Sequence, residues 1–365
     1  MNNKPLLKRR NFFKLVRPIF GIIFISFILW RFYLVFFVQK AYGPETWIRL
    51  LVSGLIIGGV YSLVAIGYTL VYGILLMINF AHGDIMMIGA FAGFFFFEAA
   101  HAIPMPTAAN PDLNFANAYP VLSIVIAFII GMAVSATTGF FLEKLAYRPL
   151  RKAPRLIPLI SAIGASIFFQ NAAQLLFSPQ TRDYVNPDFI ARGNGWEIFI
   201  GESSITLPYT GVFTFVLSFV LMLCLLLLVR KTKLGKSMRA VAQDKDTAAL
   251  MGIDVDKTIS NTFIISGALA GAAGVMWGIH NGIVNFFIGF IPGIKAFTAA
   301  VLGGIGNIPG AMIGGMFLGI IESVGPTALD ISYQLKDVIA FVILIVILIF
   351  RPSGILGEVL AEEKI

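Results

Sequence analysis

Ten stretches of this 365-residue chain stay apolar for roughly the thickness of a bilayer, and that pattern limits the available folds more than any other feature. They run approximately over Ile19–Val38, Leu50–Tyr72, Ile74–Phe97, Pro120–Leu142, Ile157–Phe177, Tyr209–Val229, Ile259–His280, Phe286–Gly303, Pro309–Val324 and Val338–Phe350. In hydrocarbon every backbone polar group must be satisfied internally, so only helices or closed barrels can span. The runs are continuous rather than alternating, which predicts helices and not barrel strands. The expected fold class is therefore all-α, a polytopic membrane helix bundle of about 8–10 transmembrane segments with broken or re-entrant helices. Gly and Pro interrupt the last four runs, and Phe286–Gly303 or Pro309–Val324 is the candidate for a re-entrant segment. A soluble enzyme is excluded: charged residues are 13% of the chain, about half the usual share, and could not cover its surface.

The net charge of +8 is concentrated rather than spread. Twenty of the 27 Lys and Arg residues fall in segments 1–17, 143–155 and 230–257 and in the tail, at Arg351 and Lys364. With ten spans, all four stretches share one side, which the positive-inside rule makes the cytoplasm. The opposite loops, 98–119 and 178–208, hold only Arg182 and Arg192. The charge is thus a topology signal, with N- and C-termini cytoplasmic, and not the footprint of a nucleic acid. The basic start followed by Ile19–Trp30 resembles a signal peptide but lacks a small-residue cleavage site, so it reads as an uncleaved anchor helix. Arg31 within it would cost about 2.5–3.5 kcal/mol at mid-bilayer, offset by the surrounding Ile, Leu and Phe or avoided by facing another helix.

Several chemistries find no support. Gly235-Lys236-Ser237 looks like the end of a phosphate-binding loop, but the required Gly five residues earlier is Arg230. In Gly303-Gly304-Ile305-Gly306 the third Gly of a dinucleotide loop is Pro309. His82, His101 and His280 are far apart in sequence, and Cys224 is the only cysteine, so neither a disulfide within the chain nor a cysteine metal cluster can form. No nucleotide or other cofactor is expected in this chain, and no catalytic set stands out.

Polar groups inside apolar runs are expensive, and their default reading is functional. Asn79, His82, Gly83 and Asp84 lie between two runs with almost no loop. They either open a helix and offer polar groups to a solute, or cap the following helix at the cytoplasmic interface, with Asn79 as N-cap and Asp84 in the first turn. Ile78-Asn79-Phe80-x-x-Gly83 is echoed by Val284-Asn285-Phe286-x-x-Gly289, a weak sign of two equivalent halves. Gln170, Asn171 and Gln174 share one span, 170 and 174 on one face; they read as interhelical hydrogen-bonding groups or as a pathway lining. His280 and Asn281 close another span, as interface residues or part of the same path. Recurring glycines (Gly54 and Gly58; Gly267, Gly271, Gly274 and Gly278; Gly310, Gly314, Gly315 and Gly319) predict close helix packing. Finally, Ser237–Gly252 reads as one short cytoplasmic helix too polar to span, whose small and apolar surface suits docking onto a partner or onto membrane lipid. Gly252 suits its end.

Taken together, these stretches resemble a known family. Gly59–Gly73, Asn79–Asp84, Tyr147–Arg151, Leu159–Gly164, Arg239–Val255, Lys295–Ala311 and Arg351–Gly357 are similar to the LivH-type permease of bacterial branched-chain amino acid ABC importers. The match covers roughly 46–357, leaving 1–45 as an N-terminal extension with an added anchor helix and 358–365 as a cytoplasmic tail. The resemblance implies a multi-pass inner-membrane protein and four kinds of partner. These are a second permease of the LivM type, two ABC ATPase subunits holding ATP and Mg, a periplasmic amino-acid-binding protein, and membrane lipid. It implies that Arg239, Ala242, Asp244, Ala248, Ala249 and Gly252 form the coupling helix to the ATPases. Residues contacting the amino acid are not carried by the motif; Asn79, His82, Gly83, Asp84, Gln170, Asn171, Gln174, His280 and Asn281 are the candidates. Related permeases carry urea or amides. The competing class, a self-sufficient secondary transporter or channel, would need intramembrane acids for ion coupling, and Asp84 and Glu322 are the clear candidates. Glu322 could equally hydrogen-bond within the bundle.

Overall fold

The computed structural model describes residues 26, 29–39, 42–106, 110–151, 153–154, 156–191, 193–200, 203–351 and 353–357. Residues 19–25, 27 and 28 of the expected anchor helix, Ile19–Val38, lie outside them, as do Lys152, Arg155, Arg192 and Lys364. The described part of that anchor is a short apolar helix, α1 (Leu29–Val38). Eight helices among the described residues are long and apolar enough to cross a membrane. They are α2 (Pro44–Leu75), α3 (His82–Ala102), α4 (Pro120–Leu150), α5 (Leu156–Phe177), α6 (Tyr209–Lys231), α9 (Val255–Asn281), α11 (Ile308–Leu329) and α12 (Tyr333–Phe350). Between α6 and α9 lie two short helices, α7 (Lys233–Gln243) and α8 (Lys245–Leu250). Helix α10 (Phe290–Gly303) has only 14 residues.

Two expectations are corrected, and one left open is narrowed. The apolar run Ile74–Phe97 is split: Leu76 adopts a left-handed conformation (φ 55°) that stops α2, and α3 restarts at His82. Of the two re-entrant candidates, Phe286–Gly303 is the short one. At about 1.5 Å per residue, 14 residues reach only some 21 Å of a hydrocarbon core of about 30 Å. Ile308–Leu329 is a full-length helix, started by Pro309 in its first turn and capped by the Asn307 side chain on the Gly310 N–H at 3.0 Å. The single cytoplasmic helix expected over Ser237–Gly252 is two helices, because Asp244 leaves the helical conformation and caps α8. Its carboxylate accepts from the Asp246 and Thr247 N–H groups at 2.9 and 3.1 Å.

The core is built on α2, whose residues from Gly54 to Ile74 are largely buried. Helix α11 packs along it, and α9 packs against α3 and α4. Lipid-like surroundings supply no hydrophobic force between helices, so close backbone approach through small residues holds such bundles. A side chain at Gly58 would place its Cβ 2.9 Å from the Met316 Cα, and one at Gly267 would lie 2.6 Å from the Ser135 carbonyl oxygen. Close packing is therefore the role of these glycine sets. We expect Gly58→Leu to cost about 1–3 kcal/mol by overpacking, read as a lower Tm of the detergent-purified protein. Gly164→Leu, with no atom within 4 Å of the added Cβ, should leave Tm unchanged. Equal Tm for the two variants would contradict this packing.

Arg31 faces another helix end, as one expectation had it: its guanidinium donates to the Leu329 carbonyl at 2.7 and 3.1 Å. At one end of the bundle, Arg148 of α4 and Arg151 just beyond it pair with Asp256 at the start of α9, beside the α7–α8 elbow. The basic segments 143–155 and 230–257 thus share one end, as the charge pattern required. Residues 353–357 lie against the α10–α11 turn, where the Ile355 and Leu356 N–H groups donate to the Leu302 and Gly303 carbonyls at 2.8 and 3.0 Å. At the opposite end, two-residue strands β1 (Arg182–Asp183) and β4 (Ile283–Val284) pair antiparallel, and β2 (Gly195–Ile200) and β3 (Ser203–Pro208) form a hairpin. Tyr184 fills a notch at Gly93 and Gly278, and burial pushes its phenol well above the usual pKa.

Candidate functional site

The break between α2 and α3 places its polar residues inside the bundle. Asn79, His82 and Asp84 are each 1% exposed. Asn79 does not cap α3; that position is Ala81, without a side-chain cap. The Asn79 side-chain oxygen, Oδ1, accepts instead from the Tyr147 hydroxyl at 2.7 Å, tying the break to the far end of α4. The His82 ring packs edge-on to Tyr68, with centroids 4.9 Å apart, over Gly67, where any side chain would collide with it. Asp84 lies in the first turn of α3, as expected, where the helix dipole favours its charge.

Two side chains of α5 meet that carboxylate. The Ser166 hydroxyl donates to it at 2.5 Å and the Gln170 amide at 3.0 Å, and Gln170 also reaches the Ser166 oxygen at 3.2 Å. Ser166, Gln170 and Gly83 line a cavity of about 460 Å³ together with Tyr68, Phe80 and Phe290. That size falls within the range of about 300–1,000 Å³ usual for small-molecule sites. The cavity is mostly apolar, with Ser166 and Gln170 as its polar edge and Asp84 buried behind them. Gly83 meets the start of α10, since a Cβ there would lie 3.0 Å from the Gly293 Cα. The two echoing segments, around Asn79 and Asn285, therefore precede helices whose first turns touch.

The remaining candidates are divided. Asn171 is exposed and donates to its own helix at the Ile167 carbonyl, 2.7 Å away, so it points away from this cavity. Gln174 is half-buried one turn beyond Gln170, outside the cavity wall. Asn281 lines a second cavity, of about 450 Å³, near the β1–β4 pair, and His280 does not.

This second cavity contains groups that were not among the candidates for contacting the amino acid. Lys295 on α10 and Glu322 on α11, both 3% exposed, form an ion pair at 2.7 Å. The Tyr61 hydroxyl donates to Glu322 at 2.9 Å, and Lys295 also meets Asp337 of α12 at 2.5 Å. Glu322 thus hydrogen-bonds within the bundle, the plainer of its two readings. Lys295 carried an available signal, a lone cation in an apolar run.

At the basic end, Glu143 is fully buried and accepts from Ser260 at 2.7 Å and from Arg151. Partial burial, with the Arg151 guanidinium adding to it, holds the nearby Lys245 ammonium below its usual pKa. Met238, Val241 and Ala248 turn inward and fix the elbow to the bundle, while Arg239, Ala242, Asp244, Ala249 and Gly252 are exposed. Gly252 ends α8 in the left-handed region (φ 83°), as its position suggested. The tip carries two large apolar side chains, Leu250 and Met251, 88% and 79% exposed. Among the described residues no three His, Cys, Asp or Glu come together as metal ligands.

With this geometry in view, comparison with known proteins is specific. Residues 50–348 match the family model described as branched-chain amino acid transport system / permease component. The chain is 44% identical over 325 residues to the high-affinity branched-chain amino acid transport system permease protein BraD of Pseudomonas aeruginosa, covering 88% of this chain and 99% of that one. It is 41% identical over 313 residues to the corresponding permease protein LivH of Escherichia coli, covering 85% and 96%. A probable branched-chain amino acid transport permease protein LivH of Methanocaldococcus jannaschii is 29% identical over 335 residues, covering 85% and 92%. No solved structure matches the chain.

Proposed function

This chain belongs to the branched-chain amino acid transport system permease family, and from that premise we propose that it is one of two permease subunits of an ABC importer for leucine, isoleucine and valine. The observation that carries this reading is the identity of 41–44% with such permeases along nearly the whole of their length. The translocation path runs along the cavity beside Asp84, Ser166 and Gln170, whose open side faces a second, LivM-type permease. Two ATPase subunits dock on the α7–α8 elbow and hold ATP and Mg. A periplasmic binding protein delivers the amino acid at the opposite end. The protein is a multi-pass inner-membrane subunit with both termini cytoplasmic and no nucleotide site of its own.

Leucine would travel through such a cavity as a zwitterion with an apolar side chain. Mostly apolar walls suit that side chain, and Ser166 and Gln170, held in place by the buried Asp84 carboxylate, offer polar contacts at one edge.

The test is purification of tagged chain from native membranes, followed by leucine uptake into proteoliposomes. Recovery of a second permease and two ATPases, with uptake requiring ATP and binding protein, is the expected result. Asp84→Ala should lower that uptake at least tenfold while the four subunits still co-purify. A chain that comes out alone and moves leucine without ATP would defeat the proposal in favour of a self-sufficient carrier.

A further inference from the structure

We propose that the second cavity is a receiving site for a free zwitterionic α-amino acid, placed ahead of the Asp84 cavity; this rests on the transport reading above. Three features carry it. The first is charge. Around the cavity stand two ammonium groups, Lys295 and Lys336, and two carboxylates, Glu322 and Asp337. The set is neutral overall, so it selects neither free anions nor free cations. Its complement is a ligand that carries both charges and no net charge.

The second is the unequal burial of the four groups. Lys295 and Glu322 are sealed in and satisfy one another, with Tyr61 completing Glu322. Lys336 and Asp337, adjacent at the head of α12, are 33% and 41% exposed. Lys336 stands 3.9 Å from Glu322, beyond hydrogen-bond reach, with its ammonium 4.8 Å above the Tyr333 ring. It retains donors for a ligand carboxylate. Asp337 meets Lys295 through one oxygen, Oδ1, leaving Oδ2 for a ligand ammonium. The buried pair orients the outer pair, because Lys295 anchors Asp337.

The third is the apolar share of the lining, made of Ile57, Trp277, Phe286, Ile288 and Ile291. Trp277 stacks on Tyr61 with centroids 6.1 Å apart, which fixes its ring in place. An accessible pair of opposite charges beside large apolar side chains matches an amino acid whose side chain is large and aliphatic. The volume of about 450 Å³ admits such a ligand together with water. Asn281 and Asn285, also in the lining, place the cavity at the end of the bundle away from the α7–α8 elbow.

The test uses the complete transporter complex in detergent, without binding protein, and measures saturable binding of radiolabelled leucine. Isocaproate, which lacks the ammonium, and isoamylamine, which lacks the carboxylate, should not compete at 100-fold excess, whereas isoleucine should. Lys336→Met and Asp337→Asn should each weaken leucine binding by about 10- to 100-fold, the span of one charge-assisted hydrogen bond. The analogue competition uses the wild-type protein and needs no variant to fold. Equal competition by either single-charge analogue, or wild-type affinity in both variants, would overturn the site. A wild-type complex that imports leucine yet shows no saturable binding would overturn it while leaving the transport reading intact. A complex that neither binds nor imports leucine would overturn both.

Discussion

Lys295→Met should destabilise the protein by about 3 kcal/mol, the lower part of the range of roughly 3–5 kcal/mol for leaving one member of a buried ion pair alone. Methionine fills nearly the same volume as lysine, so packing changes little. What changes is Glu322, which at 3% exposure would keep only the Tyr61 hydroxyl as partner. Lys336 is the nearest remaining cation, 3.9 Å away, and its approach sets the loss at the lower part of the range. The double variant Lys295→Met, Glu322→Gln should recover most of the stability, because no buried charge is then left alone. Thermal unfolding of the detergent-purified protein measures both. A single variant as stable as wild type, or a double variant no better than the single, would show that the pair does not hold α10 to α11.

The second large effect is expected at the elbow. Leu250→Asp with Met251→Asp should reduce recovery of the ATPase subunits with this chain at least tenfold. Burying a Leu or Met side chain contributes about 1.5–3 kcal/mol, so two such anchors account for several factors of ten in affinity. Each Asp adds an unpaired charge to a surface that must lose water on docking. The substitutions leave the chain's own fold alone, because both side chains point outward while Met238, Val241 and Ala248 hold the elbow. The second permease should therefore co-purify as before. Unchanged recovery of the ATPases would move their docking site elsewhere.

Much of the architecture was legible in the sequence because bilayer-spanning helices are local objects. Their length, their apolar character and the grouping of Lys and Arg at one end are written residue by residue. The glycine spacings foretold close packing for the same reason. Breaks were read less well. Asp244 followed by Asp246 and Thr247 is a capping signal within the expected single helix, and it marked the joint between α7 and α8. Leu76 gave no such signal, since leucine seldom adopts the left-handed conformation that ends α2.

The candidate site shows the same division. By itself the sequence determined that Asp84, His82 and Asn79 are polar groups set between apolar runs, and that Gln170 lies within another. A membrane interior penalises such groups wherever they occur, so composition alone marks them. Only the tertiary structure decided which partners they meet. Ser166 and Gln170 lie more than 80 residues from Asp84, Tyr147 lies 68 from Asn79, and Asn171, beside Gln170, faces away. Lys295, Glu322 and Asp337 come from three different helices and become one cluster only when α10, α11 and α12 pack. Helix periodicity sets which face a residue occupies, but the angle and depth at which helices cross depend on the fit of all their surfaces at once. No short window of sequence contains that fit.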